Sequence, residues 1–267
     1  MQTNLYLAAA FLYAVCAVLP TRQGGLISGI TAGAWLLHAG ALWTDVFGPG
    51  VVRFGFAQML SAALWLSVAA YWLENRNFAL DGLRRLVMPC AAAVAVLPLV
   101  FRGNLTNLHG MAPALGWHVA ISILAYSTLT IAAFHAVLMA LQESSLHARV
   151  ARAPWLAGAL EQLPALLTME KLLFRLIWIG FLLLTLTVLS GIVFTEQLFG
   201  IVLKWDHKTI FTLLSWLLFA ALLAGRRWRG WRGKTALRFT LAGFATLVLA
   251  YVGSRFVLEV VLHRGLA

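Results

Sequence analysis

Charge is what this sequence is short of. Only 11% of its 267 residues are charged, and nine of them are Asp or Glu. A soluble domain is about one quarter charged and about half apolar. This chain is 62% hydrophobic, with a mean hydropathy of +0.88. A soluble globule is therefore excluded, and the class is a polytopic membrane protein. The apolar segments take up nearly the whole chain, so we expect a single integral membrane domain over residues 1–267.

Cysteine is scarce as well. Cys16 and Cys90 sit in apolar runs, with no CxxC and no CxxCH. That excludes a thioredoxin-like thiol site and a covalently attached c-type haem on this chain. It leaves two small buried apolar residues. HExxH, a Walker loop and GxSxG are all missing, as is any string of carboxylates inside the spans. The first residues, Met1 to Asn4, carry no basic group, and Arg22 follows the first apolar run. A cleaved signal has the opposite order, so the first run is expected to be a true span.

What is abundant is positive charge, +11 in total. No aromatic-interleaved basic groove accompanies it, so nucleic acid is not an expected partner. The basic residues read as topology signals and lipid-headgroup contacts. Eight spans are expected, at Leu5–Leu19, Gly25–Leu42, Phe54–Trp72, Leu86–Val100, Pro113–Leu141, Leu172–Phe194, Ile210–Leu223 and Ala236–Leu262. Fourteen of the twenty Lys and Arg residues fall on the side of the loops after spans one, three, five and seven, with Arg226 to Arg238 the densest group. The positive-inside rule then puts both termini outside, which is the periplasm where the membrane is a bacterial inner one. The long loop after span five, around Pro154-Trp155 and Leu163-Pro164, is expected to hold a short interfacial helix.

On this layout His38, His109, His118, His207 and His263 fall on the outer side. Imidazole in or beside hydrocarbon is costly without a partner, and a cluster of such groups can hold a metal or a haem. His38 lies two thirds along span two, about 140° round the helix from Gly33. Gly25, Gly29 and Gly33 form a small-residue stripe expected to let another helix approach, which would make span two central. His118 opens span five beside Trp117, which is either a belt residue or the wall of a flat ligand. Asp206, before His207, either tunes that imidazole or caps a helix. Arg255, with Glu259 one turn on, is either a snorkelling helical pair or a clamp for a ligand carboxylate. His135, inside span five on the other side, needs a partner that the sequence does not name.

Gly116-Trp117-His118-Val-Ala-Ile-Ser-Ile-Leu-Ala-Tyr126-Ser-Thr-Leu resembles the span of cytochrome c assembly proteins that carries an external haem-ligand histidine. Trp205-Asp206 with Lys208 resembles a reduced form of that family's Trp-Asp-Pro-Lys-Glu motif. Gly230 to Lys234, Ala242-Gly243-Phe244 and Leu249 to Arg255 are similar to the C-terminal end of its HemX/YpjD-like branch, and His38 matches that branch's span-two histidine. The motif-bearing region runs from about 116 to 262. His207 stands where the motif has proline and Thr209 where it has glutamate, so a smaller haem-binding or assembly-related relative is expected rather than a complete haem lyase.

The resemblance implies a protein that holds or hands over non-covalent haem b near the periplasmic face and performs no bond-making chemistry. His38 and His118 would ligate the iron, with His207 as substitute. Trp117 and Trp205 would line the ring, and Arg255, Lys208 or Arg102 would take propionates. Lipid, haem and other cytochrome c assembly components are the expected partners. Two other readings stand beside it. One is an accessory or regulatory subunit with structural histidines. The other is a b-type electron carrier, for which the span histidines are too few.

Overall fold

The computed structural model describes residues 2–48, 51–78, 81–107, 113–147, 163–199, 205–253 and 256. Among these are eight α-helices: α1 (Gln2–Val18), α2 (Gly24–Val46), α3 (Phe56–Phe78), α4 (Asp81–Val100), α5 (Pro113–His147), α6 (Leu166–Phe199), α7 (His207–Arg229) and α8 (Lys234–Val248). A π-helical turn, Leu249–Gly253, continues α8. Seven of the helices are long and apolar enough to cross a membrane. The eighth, α1, has 17 residues and runs about 26 Å, just under the hydrocarbon thickness of about 30 Å. The all-α membrane bundle expected from composition is therefore what forms.

Helix ends depart from the apolar runs in one direction. The runs Leu172–Phe194 and Ile210–Leu223 are the centres of α6 and α7, and both helices continue into charged turns. α7 gains its extra turns because Asp206 caps its start and Gly230 ends it in a left-handed conformation, with Arg226, Arg227 and Arg229 against the negative end of the helix dipole. The expected interfacial helix after span five lies mostly outside the described residues, as does the end of span eight.

Three short strands were not anticipated. β1 (Phe47–Gly48), β2 (Val51–Phe54) and β3 (Asn104–Asn107) form an antiparallel sheet in the order β1-β2-β3. It joins the turn after α2 to the segment after α4. Strands of two to four residues are too short for alternation to register in a sequence.

The helices pack in two groups. In one, α1 lies against α2 and α4, and α3 against α2 and α4; in the other, α5 packs on α6 and α8, and α7 on α8. The seam between the groups is α3 against α5. There Ser67 lies 3.4 Å from Ser127, hydroxyl to hydroxyl, and donates to Ala63 O at 2.8 Å. The α5–α6 contact is close because position 180 is glycine: a Cβ there would come within 2.5 Å of the Leu129 side chain. α2 and α3 are fastened by two tryptophans. Trp35 and Trp65 stack at 4.7 Å, and each indole N–H donates to the other's backbone carbonyl, at 3.1 and 3.0 Å.

The glycine stripe of α2 does not do what its spacing suggested. A Cβ at Gly25, Gly29 or Gly33 would meet none of the described residues. The packed face of α2 carries Ile27, Thr31, Ala34, His38 and Asp45 instead. So α2 is an outer helix of its group, with His38 turned inward.

Arg84 also changes meaning. As a basic residue at a span end it reads as a topology signal. In the structure its side chain is fully buried. Its guanidinium donates to the carbonyls of Cys16 and Leu19 at the C-terminus of α1, both at 2.8 Å. A cation here serves carbonyls that have no helical partner and opposes the dipole of α1. Arg84→Ala removes both bonds. We expect it to lower stability in detergent by about 3 kcal/mol, read as an earlier thermal unfolding; an unchanged transition would refute the role.

Candidate functional site

The polar groups of the first group line one column between α1, α2 and α3. On α1, Tyr6 and Tyr13 are seven residues apart and both fully buried. On α2, His38 and Asp45 have the same spacing. Two helices with matching heptad steps bring these pairs face to face. His38 is wholly buried, with both tyrosine rings edge-on to its imidazole. Its Nδ1 lies 3.4 Å from Tyr13 Oη and its Nε2 lies 2.8 Å from Ser61 Oγ of α3. Both ring nitrogens therefore face hydroxyls of the chain itself.

Two turns further along α2, Asp45 has 1% of its side chain exposed. Its Oδ1 accepts from Arg53 Nη1 of β2 at 2.8 Å, and its Oδ2 accepts from Tyr6 Oη at 3.3 Å and Gln58 Nε2 at 3.2 Å. The Gln58 amide also reaches Phe101 O at 3.4 Å. Sequence reasoning missed this hub. Asp45 stands at a span end, where a carboxylate usually marks a boundary. The legible signal was the shared seven-residue spacing of Tyr6, Tyr13 and of His38, Asp45.

The second group presents a different surface. His118 lies near the start of α5, and its Nδ1 is 2.9 Å from Ser190 Oγ of α6. The Ser190 hydroxyl donates to Thr187 O at 3.1 Å. With its hydrogen turned to Thr187, the hydroxyl accepts from an Nδ1–H of His118, the tautomer that carries its lone pair on Nε2. Position 191 is glycine at this contact, where a Cβ would stand 3.3 Å from the imidazole Cε1. Lys208 of α7 is close enough for its charge to act on His118. Its ammonium also lies 5.4 Å from the centroid of the Tyr251 ring, in the π-helical turn. Tyr251 sits edge-on to Tyr126, whose hydroxyl donates to Leu247 O at 2.7 Å. π-helical turns recur at functional sites.

Trp117 is 74% exposed and Trp205 71% exposed. His207 is exposed at the first position of α7. Asp206 proves to be the cap: its carboxylate accepts from the Thr209 N–H at 2.9 Å and from the Thr209 hydroxyl at 3.0 Å. The structure thus brings together His118, Ser190 and Lys208, with Trp117, Trp205 and His207 beside them in sequence. It places His38 in the other helix group. Arg102 is exposed after α4. Arg255, Glu259, His109 and His263 lie outside the described residues.

The family described as Cytochrome C assembly protein matches residues 34–262. The inner membrane protein YpjD of Escherichia coli K12 is 30% identical over 250 residues, covering 90% of this chain and 88% of that one. The cytochrome c biogenesis protein CcsA of Synechococcus elongatus is 32% identical over 155 residues, covering 58% of this chain and 46% of that one. CcsA of Gloeobacter violaceus is 34% identical over 92 residues, 34% of this chain and 27% of that one. No solved structure matches.

Asp45→Ala leaves the Arg53 guanidinium without its carboxylate in a largely buried place. We expect a loss of about 3 kcal/mol in unfolding free energy, with Asp45→Asn losing less because the amide oxygen still accepts. Equal losses in the two variants would refute the ion pair.

Proposed function

Because the chain belongs to the cytochrome c assembly protein family, we propose that it binds haem b non-covalently near the periplasmic face of a bacterial inner membrane and hands it on. The name of the full-length YpjD relative supports the inner membrane. The names of the CcsA relatives support cytochrome c biogenesis. The excess of Lys and Arg on one side supports both termini lying in the periplasm. Such a protein is a biogenesis factor, and other assembly components are its natural partners.

The observation that carries the reading is the bond from His118 to Ser190. A haem-ligating imidazole needs an Nε2 lone pair and a fixed ring, and a hydrogen bond from Nδ1–H to a second residue supplies both. The Ser190 hydroxyl does this work for His118, and Gly191 leaves room at the ring edge. Lys208 offers a cation for a propionate, and the exposed faces of Trp117 and Trp205 offer flat apolar surface. Arg255 and Arg102 remain proposed propionate contacts. A haem held by two imidazoles of this chain would be kept for holding and transfer rather than for reaction with new ligands.

His207, in the same helix group as His118, would be the other imidazole to hold the haem. His38 takes that role only if it gives up Ser61 or Tyr13. The Tyr13 contact, at 3.4 Å, is the weaker. That full satisfaction of His38 favours a second reading for the first group, in which its histidine is structural and the protein serves as an accessory subunit.

The test is an absorption spectrum of the detergent-solubilised protein from cells supplied with haem, before and after dithionite. We expect a bis-histidine Soret band and split visible bands on reduction. His118→Ala should lower bound haem by about tenfold or more, while Ser190→Ala should lower it less. A colourless wild-type preparation would support the accessory reading instead.

A further inference from the structure

The α3–α5 seam holds a second polar contact, away from His118. His135 follows His118 on α5 by seventeen residues, about 25 Å along the axis. Its side chain is wholly buried. Its Nδ1 lies 3.0 Å from the carbonyl oxygen of Ile131. A carbonyl only accepts, so Nδ1 carries a hydrogen. In a neutral imidazole the other nitrogen, Nε2, then has a lone pair and no hydrogen. That nitrogen faces Oε2 of Glu74, in the last turns of α3, at 3.5 Å. Both atoms are shut off from solvent, and neither has a hydrogen-bond partner among the described residues.

A neutral imidazole opposite an ionised carboxylate would set two lone pairs against each other. It would also leave a half-buried negative charge with no ion pair among the described residues closer than the field of Arg175 to offset it. One added proton removes both faults. As imidazolium and carboxylate, or as imidazole and carboxylic acid, the pair is neutral overall, and a donor faces an acceptor. The separation of 3.5 Å is longer than the roughly 2.7–2.9 Å of a charge-assisted bond. A proton between the two atoms would turn this contact into a hydrogen bond across the α3–α5 seam.

We propose that His135 and Glu74 form a binding site for a single proton, which fastens the two helix groups to each other at a place remote from His118. Glu74 keeps 19% of its side chain exposed and His135 none. The proton enters and leaves through the carboxyl group. The guanidinium of Arg175, on α6, is the neighbouring cation whose charge reaches Glu74. No haem is involved, and the site stands whether or not haem binds at His118.

The experiment uses the full chain in detergent, labelled with 15N-histidine, from about pH 5 to about pH 9. NMR reads the protonation of both His135 nitrogens, assigned by loss of the signal in His135→Asn. Infrared difference spectra against Glu74→Gln read the carboxyl group. At neutral pH we expect either a doubly protonated His135 beside a carboxylate, or an Nδ1–H imidazole beside a protonated Glu74. An Nδ1–H imidazole beside an ionised Glu74 across the whole range overturns the proposal. Thermal unfolding gives an independent reading. A proton held more tightly in the folded state stabilises at low pH, and the wild type should lose stability as pH rises through its release. Glu74→Gln, whose amide donates in place of the proton, should unfold with no such slope. The same slope in that variant also overturns the proposal.

Discussion

Asp45 is a carboxylate in a place where water cannot solvate it, and the first helix group is arranged around that fact. Its two oxygens collect Tyr6 from α1, Gln58 from α3 and Arg53 from β2. Gln58 passes the connection on to the backbone just after α4. One buried negative charge thereby ties four helix ends and a strand. The cost of desolvating it is offset only while all of these donors stay in place. The short sheet carries Arg53 to this carboxylate.

The same accounting runs through the rest of the bundle. Hydroxyls of Ser67, Ser122, Thr130, Thr187 and Thr240 bond back to carbonyls four residues earlier on their own helices. Arg84 serves the open end of α1. In an apolar surround each polar group must find its partner in the chain. The two groups meet this demand differently. In the first, imidazole, phenols, amide and carboxylate bond to one another inside, with Gln58 Oε1 and Arg53 Nε buried and without a partner among the described residues. In the second, His118 is oriented by one serine while broad indole faces and a lysine stand near the chain's surface. The family match begins inside α2. Tyr6 and Tyr13, the α1 partners of Asp45 and His38, therefore lie outside the matched residues, whereas Ser61, His118 and Lys208 lie within them.

Much of this was legible in the sequence, and the failures have physical causes. Long apolar runs gave the spans, because length and hydropathy alone decide what can sit in hydrocarbon. His118 and Lys208 stood out through the motifs around them. Asp45 and Arg84 did not, because a charge near a span end looks the same whether it faces headgroups or a buried acceptor. Only the fold brings Arg84 to carbonyls 65 and 68 residues earlier. The glycine stripe misled for a related reason. Four-residue spacing says that a face is smooth, and cannot say that another helix is there to use it.

The stacked pair of Trp35 and Trp65 has a mechanical consequence for His38. Each indole is bonded to the main chain beneath the other, so α2 and α3 cannot slide along one another by even one residue's rise, about 1.5 Å, without breaking both bonds at once. Ser61 rides on α3 and so keeps its place against the imidazole. On the opposite side α1 sets Tyr13 3.4 Å from the imidazole, and α1 is itself held by Tyr6 on Asp45 and by Arg84 on its last carbonyls. An imidazole so placed is closed on three sides by α1, α2 and α3, with a hydroxyl on each of its ring nitrogens.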